Sequence, residues 1–242
     1  HSALLSRLSS SFPSCVVRFI HSFLSDRRAS VSFSSSTSSN FRLNFGVPQG
    51  SVLGPFLFLF FIDPLASLLS SVSPYLRFSL YADDLAVWAS HPLVQEATAI
   101  VQSALTAISD WSANWLLRLN VDKCTCTLFT MDPAQASVEP SPFLNSTPLS
   151  FTSSPTLLGV TLDRTLIFRP HLTRTHAAAY PCLAALRSVS SAAWGPSFDS
   201  LATLSHSFYH LLLMLLLPFF HSLLPQIALV ASRRFITLLV EP

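Results

Sequence analysis

Leu76-Arg77-Phe78-Ser79-Leu80-Tyr81-Ala82-Asp83-Asp84-Leu85-Ala86-Val87-Trp88 places two apolar, strand-like arms around a pair of acids. Such arms about a short polar break predict a β-hairpin with Asp83 and Asp84 at or near its turn. The adjacent carboxylates admit two readings. Asp is common in turns, where water solvates it. Alternatively the pair holds a cation: an uncompensated buried charge costs several kcal/mol, and Mg²⁺ takes hard oxygen ligands, commonly one or two carboxylates together with substrate phosphates.

Upstream lies Gly46-Val47-Pro48-Gln49-Gly50-Ser51-Val52-Leu53-Gly54-Pro55, followed by an apolar run to Leu65. Three of the five glycines in the chain fall within these ten residues, so each is expected where the backbone needs positive φ or a close approach. Gly54-Pro55 reads as a helix start. Before it, Leu4, Leu5 and Leu8, then Val16, Val17 and Ile20 after Pro13, have helical spacing and predict two short helices. Ala29 to Phe33 and Phe41 to Phe45 predict a hairpin around a Ser-rich loop from Ser34 to Asn40.

Downstream, Ile100, Ala104, Ile108, Trp111 and Trp115 recur at steps of three and four, which predicts an amphipathic helix from Leu93 to about Leu117 packed on a sheet. A turn at Asn120 to Lys123 then leads into a strand, Cys124 to Phe129. Met131 to Ser154 reads as a Pro- and Ser-rich loop, Leu157 to Leu162 as another strand, and the pattern from Leu172 as helical with a break at Gly195-Pro196. The fold expected is α+β.

Composition narrows the class. Only 11% of the 242 residues are charged and 50% are apolar, against roughly 25% charged in average globular proteins, which excludes disorder over most of the length. Fourteen Lys and Arg against twelve Asp and Glu give +2, a weak footprint for a nucleic-acid-binding protein. Cys15, Cys124, Cys126 and Cys182 are too scattered for a disulfide framework or a zinc site and are expected as reduced thiols. The chain opens on His1 and no signal peptide is expected. Leu211 to Phe220 is about half the roughly 20 residues that span a bilayer and contains Pro218, so it reads as a core helix and no membrane partner is expected.

Tyr81-Ala82-Asp83-Asp84 resembles the polymerase metal motif of reverse transcriptases, and the segment from Gly46 to Pro55 is similar to the template and nucleotide positioning motif that precedes it in non-LTR, LINE-type retrotransposons. Leu119-Asn120-Val121-Asp122-Lys123-Cys124 resembles the next motif of that family. Leu157 to Asp163, followed by His171, resembles the segment that grips the primer, and Trp194-Gly195-Pro196 resembles part of a thumb-like region. The resemblance implies an antiparallel palm sheet with packed helices over residues 1–168 and a helical thumb-like region over 169–242. It further implies an RNA-directed DNA polymerase, a nucleotidyltransferase that joins a deoxynucleoside triphosphate to a DNA primer on an RNA template with two Mg²⁺ ions. Asp83 and Asp84 would be the metal ligands and Lys123 would offset charge on the leaving phosphates. Pro48, Gln49, Gly50 and Tyr81 would hold nucleotide and template, and nuclear access would follow.

The family carries a further catalytic Asp in an upstream strand, followed by a His and a leucine-rich helix like His1-Ser2-Ala3-Leu4-Leu5. The chain is therefore expected to start just after that Asp and to be inactive alone. Leu59 stands where the family usually has Asn, Phe61 where it often has Tyr, and Asp63-Pro64 where Asn-Asp is common. Pro64 is expected to end its helix early. These departures fit a truncated or decaying copy. Two alternatives remain. One is a non-catalytic nucleic-acid-binding remnant using Arg42, Arg77, Arg118, Lys123 and Arg164, with Trp88, Trp111 and Trp115 free to stack. The other is a membrane-associated protein built on Leu211 to Phe220.

Overall fold

The computed structural model describes residues 1–43, 45–135, 137–190, 195–207 and 235–240. Two helices come first, α1 (Ser2–Ser11) and α2 (Ser14–Leu24), separated at Pro13. Their apolar stripes, Leu4 and Leu8, then Ile20 and Leu24, are buried together with Leu57 further on. The Ser-rich segment forms a nested pair of ladders. The outer joins β1 (Arg28–Ala29) to β4 (Phe41–Arg42), and the inner joins β2 (Ser32–Phe33) to β3 (Ser36–Thr37). The expected loop from Ser34 to Asn40 therefore contains a strand, because serine hydroxyls supply local partners: Ser38 Oγ accepts the Val31 amide at 2.9 Å, and Ser32 and Thr37 hydroxyls meet at 3.1 Å.

Helix α3 (Leu53–Val72) continues through Pro64, which overturns the expectation of an early end. Proline in a helix interior costs about 3 kcal/mol, but Leu57, Ile62, Leu65 and Leu69 are buried on both sides of it, and each is worth about 1.5–3 kcal/mol. Packing therefore outweighs the missing hydrogen bond. This helix is long and apolar enough to cross a membrane by length and composition alone; here its buried stripe covers the sheet.

After α3 come β5 (Leu76–Tyr81), β6 (Asp84–Ser90), α4 (Val94–Asn114) and β7 (Thr125–Phe129). The stretch expected as a loop holds β8 (Phe143–Leu144), β9 (Thr147–Pro148) and β10 (Ser150–Phe151). The single strand expected at Leu157 to Leu162 is instead a tight hairpin of β11 (Thr156–Leu157) and β12 (Val160–Thr161), since Leu158 and Gly159 both take positive φ, +47° and +84°. Helix α5 (Arg169–Val189) follows, and residues 198–207 are helical after Gly195-Pro196.

The expectation of a wholly helical C-terminal region is corrected at its end. β13 (Phe235–Val240) is the central strand of a five-stranded sheet in the order β10-β7-β13-β6-β5. Its neighbours β6 and β7 both run antiparallel to it, and β10 joins β7 in parallel. A run of Phe-Ile-Thr-Leu-Leu-Val suits a strand enclosed on both sides. Leu211 to Phe220 lies outside the described residues.

Both faces of the sheet are covered, which explains why Leu85 to Ala89 is apolar at every position. Leu85, Val87 and Ala89 join Val101, Leu105 and Ile108 of α4 and Leu65 and Leu69 of α3 in one core. Ala86 and Trp88, alternating to the other face, meet Leu157, Val160 and Leu162 of the β11–β12 hairpin.

Candidate active site

The β5–β6 register pairs Tyr81 with Asp84, leaving Ala82 and Asp83 as a two-residue turn. Turns of this length favour positive φ and glycine, yet Ala82 takes φ +52°. Asp83 and Tyr81 are exposed, and Asp84, the first residue of β6, is partly buried. Burial and then the neighbouring Asp83 hold the Asp84 carboxyl above its ordinary value, while Lys123 pulls it back.

Strand order explains how Lys123 comes to act there. Leu239 of β13 pairs with Ala86 on one side and Thr125 on the other. Asp84 and Lys123 each lie two residues before those partners, so they stand level at the same end of the sheet, two strand spacings or about 10 Å apart in backbone. A lysine stem spans much of that distance. Lys123 closes a single 3₁₀ turn, Val121–Lys123, that delivers the chain into β7.

The Gly46 to Pro55 segment is a compact turn at the head of α3. Gly46 and Gly50 take φ +74° and +80°. Ser51 Oγ donates to the Pro48 carbonyl at 2.7 Å and accepts the Gly54 amide at 3.0 Å. A Cβ on Gly54 would sit 3.1 Å from that same carbonyl, so the third glycine is there for close approach. The Gly46 carbonyl meets His1 Nε2 at 2.8 Å and accepts from the Arg27 guanidinium at 3.0 Å. Gln49 and Gly50 are exposed. Only Ser73 to Tyr75 connect α3 to β5, and so short a link makes the two elements run in opposite directions. That points the head of α3 toward the Tyr81 end of β5. Among the described residues no hydrogen bond or ion pair joins Pro48, Gln49 or Gly50 to Asp83 or Asp84, whereas Asp84 feels both Asp83 and Lys123 electrostatically.

Two hard oxygen donors whose mutual repulsion raises a pKa suit a divalent cation better than they suit each other. Among the described residues no group of three His, Cys, Asp or Glu gathers.

Of the departures noted in sequence, Leu59 is 58% exposed, leaving an apolar side chain facing solvent. Asp63 forms a 2.6 Å ion pair with Arg7, tying α3 to α1. Sequence reasoning missed the part played by Asp163. Although burial pushes it up, hydrogen bonds from the Thr165 hydroxyl and the Phe168, Ile167 and Thr165 amides hold its carboxyl below the ordinary range. Asp163 thereby shapes the loop into α5, and Asp-x-Thr was the available signal. His171 is buried and its Nδ1 accepts the Thr161 amide at 3.4 Å.

Residues 1–162 match the reverse transcriptase (RNA-dependent DNA polymerase) family. The chain belongs to that family. Among relatives, a probable RNA-directed DNA polymerase from transposon BS of Drosophila melanogaster is 34% identical over 202 residues, 77% of this chain and 21% of the relative. The RNA-directed DNA polymerase from mobile element jockey of Drosophila funebris is 34% identical over 176 residues, covering 72% and 19%. A third, the probable RNA-directed DNA polymerase from transposon X-element of Drosophila melanogaster, is 28% identical over 173 residues, covering 72% and 19%. The chain thus spans about a fifth of the length of the curated relatives it matches. It is a reverse transcriptase domain of the non-LTR, LINE-type kind, with the α+β architecture expected of it. The reverse transcriptase match runs from α1 through the β11–β12 hairpin.

Proposed function

We propose that this chain is the palm portion of an RNA-directed DNA polymerase that extends a DNA primer on an RNA template from deoxynucleoside triphosphates. The observation that carries it is the level placement of Lys123 with Asp84, beside the turn that holds Asp83. Acids that bind a cation and an ammonium that meets phosphate are both wanted where a triphosphate is cleaved. Asp83 and Asp84 would hold Mg²⁺, which when bound in a pair stabilises the attacking and leaving oxygens. Lys123 offsets charge on the departing phosphates, as a mobile ammonium can. The exposed Tyr81 ring borders the nucleotide, and Gln49 with Gly50 and Pro48 supplies a bare backbone turn for the base pair being formed. The region over 169–242, helical at Arg169–Val189 and at 198–207, serves as the thumb-like part, and the protein acts in the nucleus.

The 242 residues alone do not polymerise on this reading, because no third carboxylate joins Asp83 and Asp84 among the described residues. Primer extension on an RNA template with Mg²⁺ tests both points, using this chain and a version lengthened upstream by the family's Asp-bearing strand. Synthesis is expected from the longer protein only, and Asp83→Asn should abolish it without unfolding the protein. Robust synthesis by the shorter chain would refute the inactivity, and a longer protein indifferent to Asp83→Asn would refute the assignment. The purely binding alternative loses support from its aromatics: Trp88 and Trp111 are buried, and Trp115 packs on Trp111 and Phe61.

A further inference from the structure

His171 is the one buried side chain of α5 among the described residues. The helix beyond it stands largely in solvent, with Leu172 53% exposed and Tyr180 62%. Its principal neighbour in the body is β12, and Phe168, just ahead of it, packs against the cluster of Leu157, Val160 and Leu162. The head of α5 therefore decides whether the helix is held.

The hold has a proton-dependent part. Nδ1 of His171 accepts the Thr161 amide of β12 at 3.4 Å, so the single proton of the neutral ring sits on Nε2. Nε2 is itself buried with no partner among the described residues. A second proton would turn Nδ1 from acceptor into donor, setting its N–H against the Thr161 N–H and placing a charge where burial disfavours it.

The surroundings offer that charge no relief. Arg174, one turn along α5, is a neighbour on the same helix surface, and Arg169 lies at the helix head. The loop from β12 brings Arg164 and Asp163, but the Asp163 carboxylate is already engaged by Thr165, Ile167 and Phe168. The hairpin and the strands beneath it contribute Leu157, Val160, Trp88 and Phe129, none of them charged. Burial and then Arg174 hold His171 below the ordinary histidine value.

We propose that the His171–Thr161 hydrogen bond is a pH-sensitive latch: a neutral ring fastens the head of α5 to the β11–β12 hairpin, and protonation of the ring releases the helix. The latch is independent of the polymerase reading. Because the folded value lies below the unfolded one, near 6.5, its contribution is complete above that pH and is lost as pH falls through the folded value. Asp163 is held below the ordinary carboxylate range, so its loop keeps its hydrogen bonds across that window and only the helix responds.

The test is amide hydrogen exchange of the full chain at pH 7.5 and pH 5, corrected for intrinsic exchange, with NMR titration of the His171 ring and the Thr161 amide. The first turns of α5 should lose protection severalfold at pH 5 while α4 keeps its own. The Thr161 amide should shift with the same midpoint as the ring, below 6.5, and Arg174→Gln should move both midpoints up together. His171→Asn places an amide oxygen where Nδ1 stood, so it should keep α5 protected at both pH values. His176→Ala, at an exposed position of the same helix, should respond like the wild type. Equal protection of wild-type α5 at the two pH values would overturn the latch, as would a pH response that survives in His171→Asn.

Discussion

Lys123 and Asp84 stand level only because β13, drawn from residues 235–240, lies between β6, which Asp84 opens, and β7, which Lys123 precedes. The ammonium and the partly buried acid are thus placed by a segment about a hundred residues further along the chain than Lys123. Removing the charge with Lys123→Met should raise the Asp84 pKa further, because Lys123 is the one influence that lowers it. Carboxyl NMR titration reads this directly, and an unmoved Asp84 would separate the two residues.

Asp84→Asn should stabilise the fold near neutral pH. A raised folded pKa means the native state holds its proton more tightly than the unfolded chain, whose value is near 3.8. Stability from this group therefore rises as pH falls through the folded pKa and levels off below the unfolded one. The advantage of Asn should shrink over that same window. Urea unfolding at a series of pH values would show it, and a pH-independent gain would contradict the burial of Asp84.

Ala82→Gly should add about 1 kcal/mol of stability, since an L-residue in the left-handed region costs about 1–2 kcal/mol and the entropy lost by glycine offsets part of the relief. A destabilised Gly variant in denaturant titration would show the turn to be unstrained.

Thr237→Pro should be severe. Thr237 pairs with Trp88 and Thr127 in the centre of the sheet, where proline removes a ladder hydrogen bond and leaves a buried partner unsatisfied at a cost of about 1–3 kcal/mol. Loss of cooperative unfolding is expected, with Asp84 no longer sensing Lys123. Thermal unfolding like the wild type would mean that β13 is not part of the folded core.

Cys126 should resist thiol reagents at mildly alkaline pH while Cys15 reacts. Burial pushes the Cys126 thiol up to about 12, so the reactive thiolate is scarce, whereas Cys15 is exposed. Mass mapping after brief alkylation decides it, and early labelling at Cys126 would place that strand face in solvent.

Local physics was enough for the hairpin of Tyr81 and Asp84, the two opening helices and α4, because each declares itself in periodicity and turn residues within a short window. The three glycines before Pro55 were legible for a similar reason: their scarcity elsewhere marked a tight turn. Pro64 was misread because its local penalty is smaller than the burial of Leu57, Ile62, Leu65 and Leu69 around it. Leu158-Gly159 was misread because a two-residue reversal leaves an apolar run unbroken.

By itself the sequence determined the acidic turn, its glycine-rich companion and the membership in the reverse transcriptase family, all of them matters of neighbouring residues. Tertiary structure alone decided that Leu239 should lie between Ala86 and Thr125, so that Lys123 meets the field of Asp84, and that Arg28 should face Arg42. Such pairings depend on strand order and register, which arise from long-range burial and backbone hydrogen bonding and have no signature in any short stretch of chain.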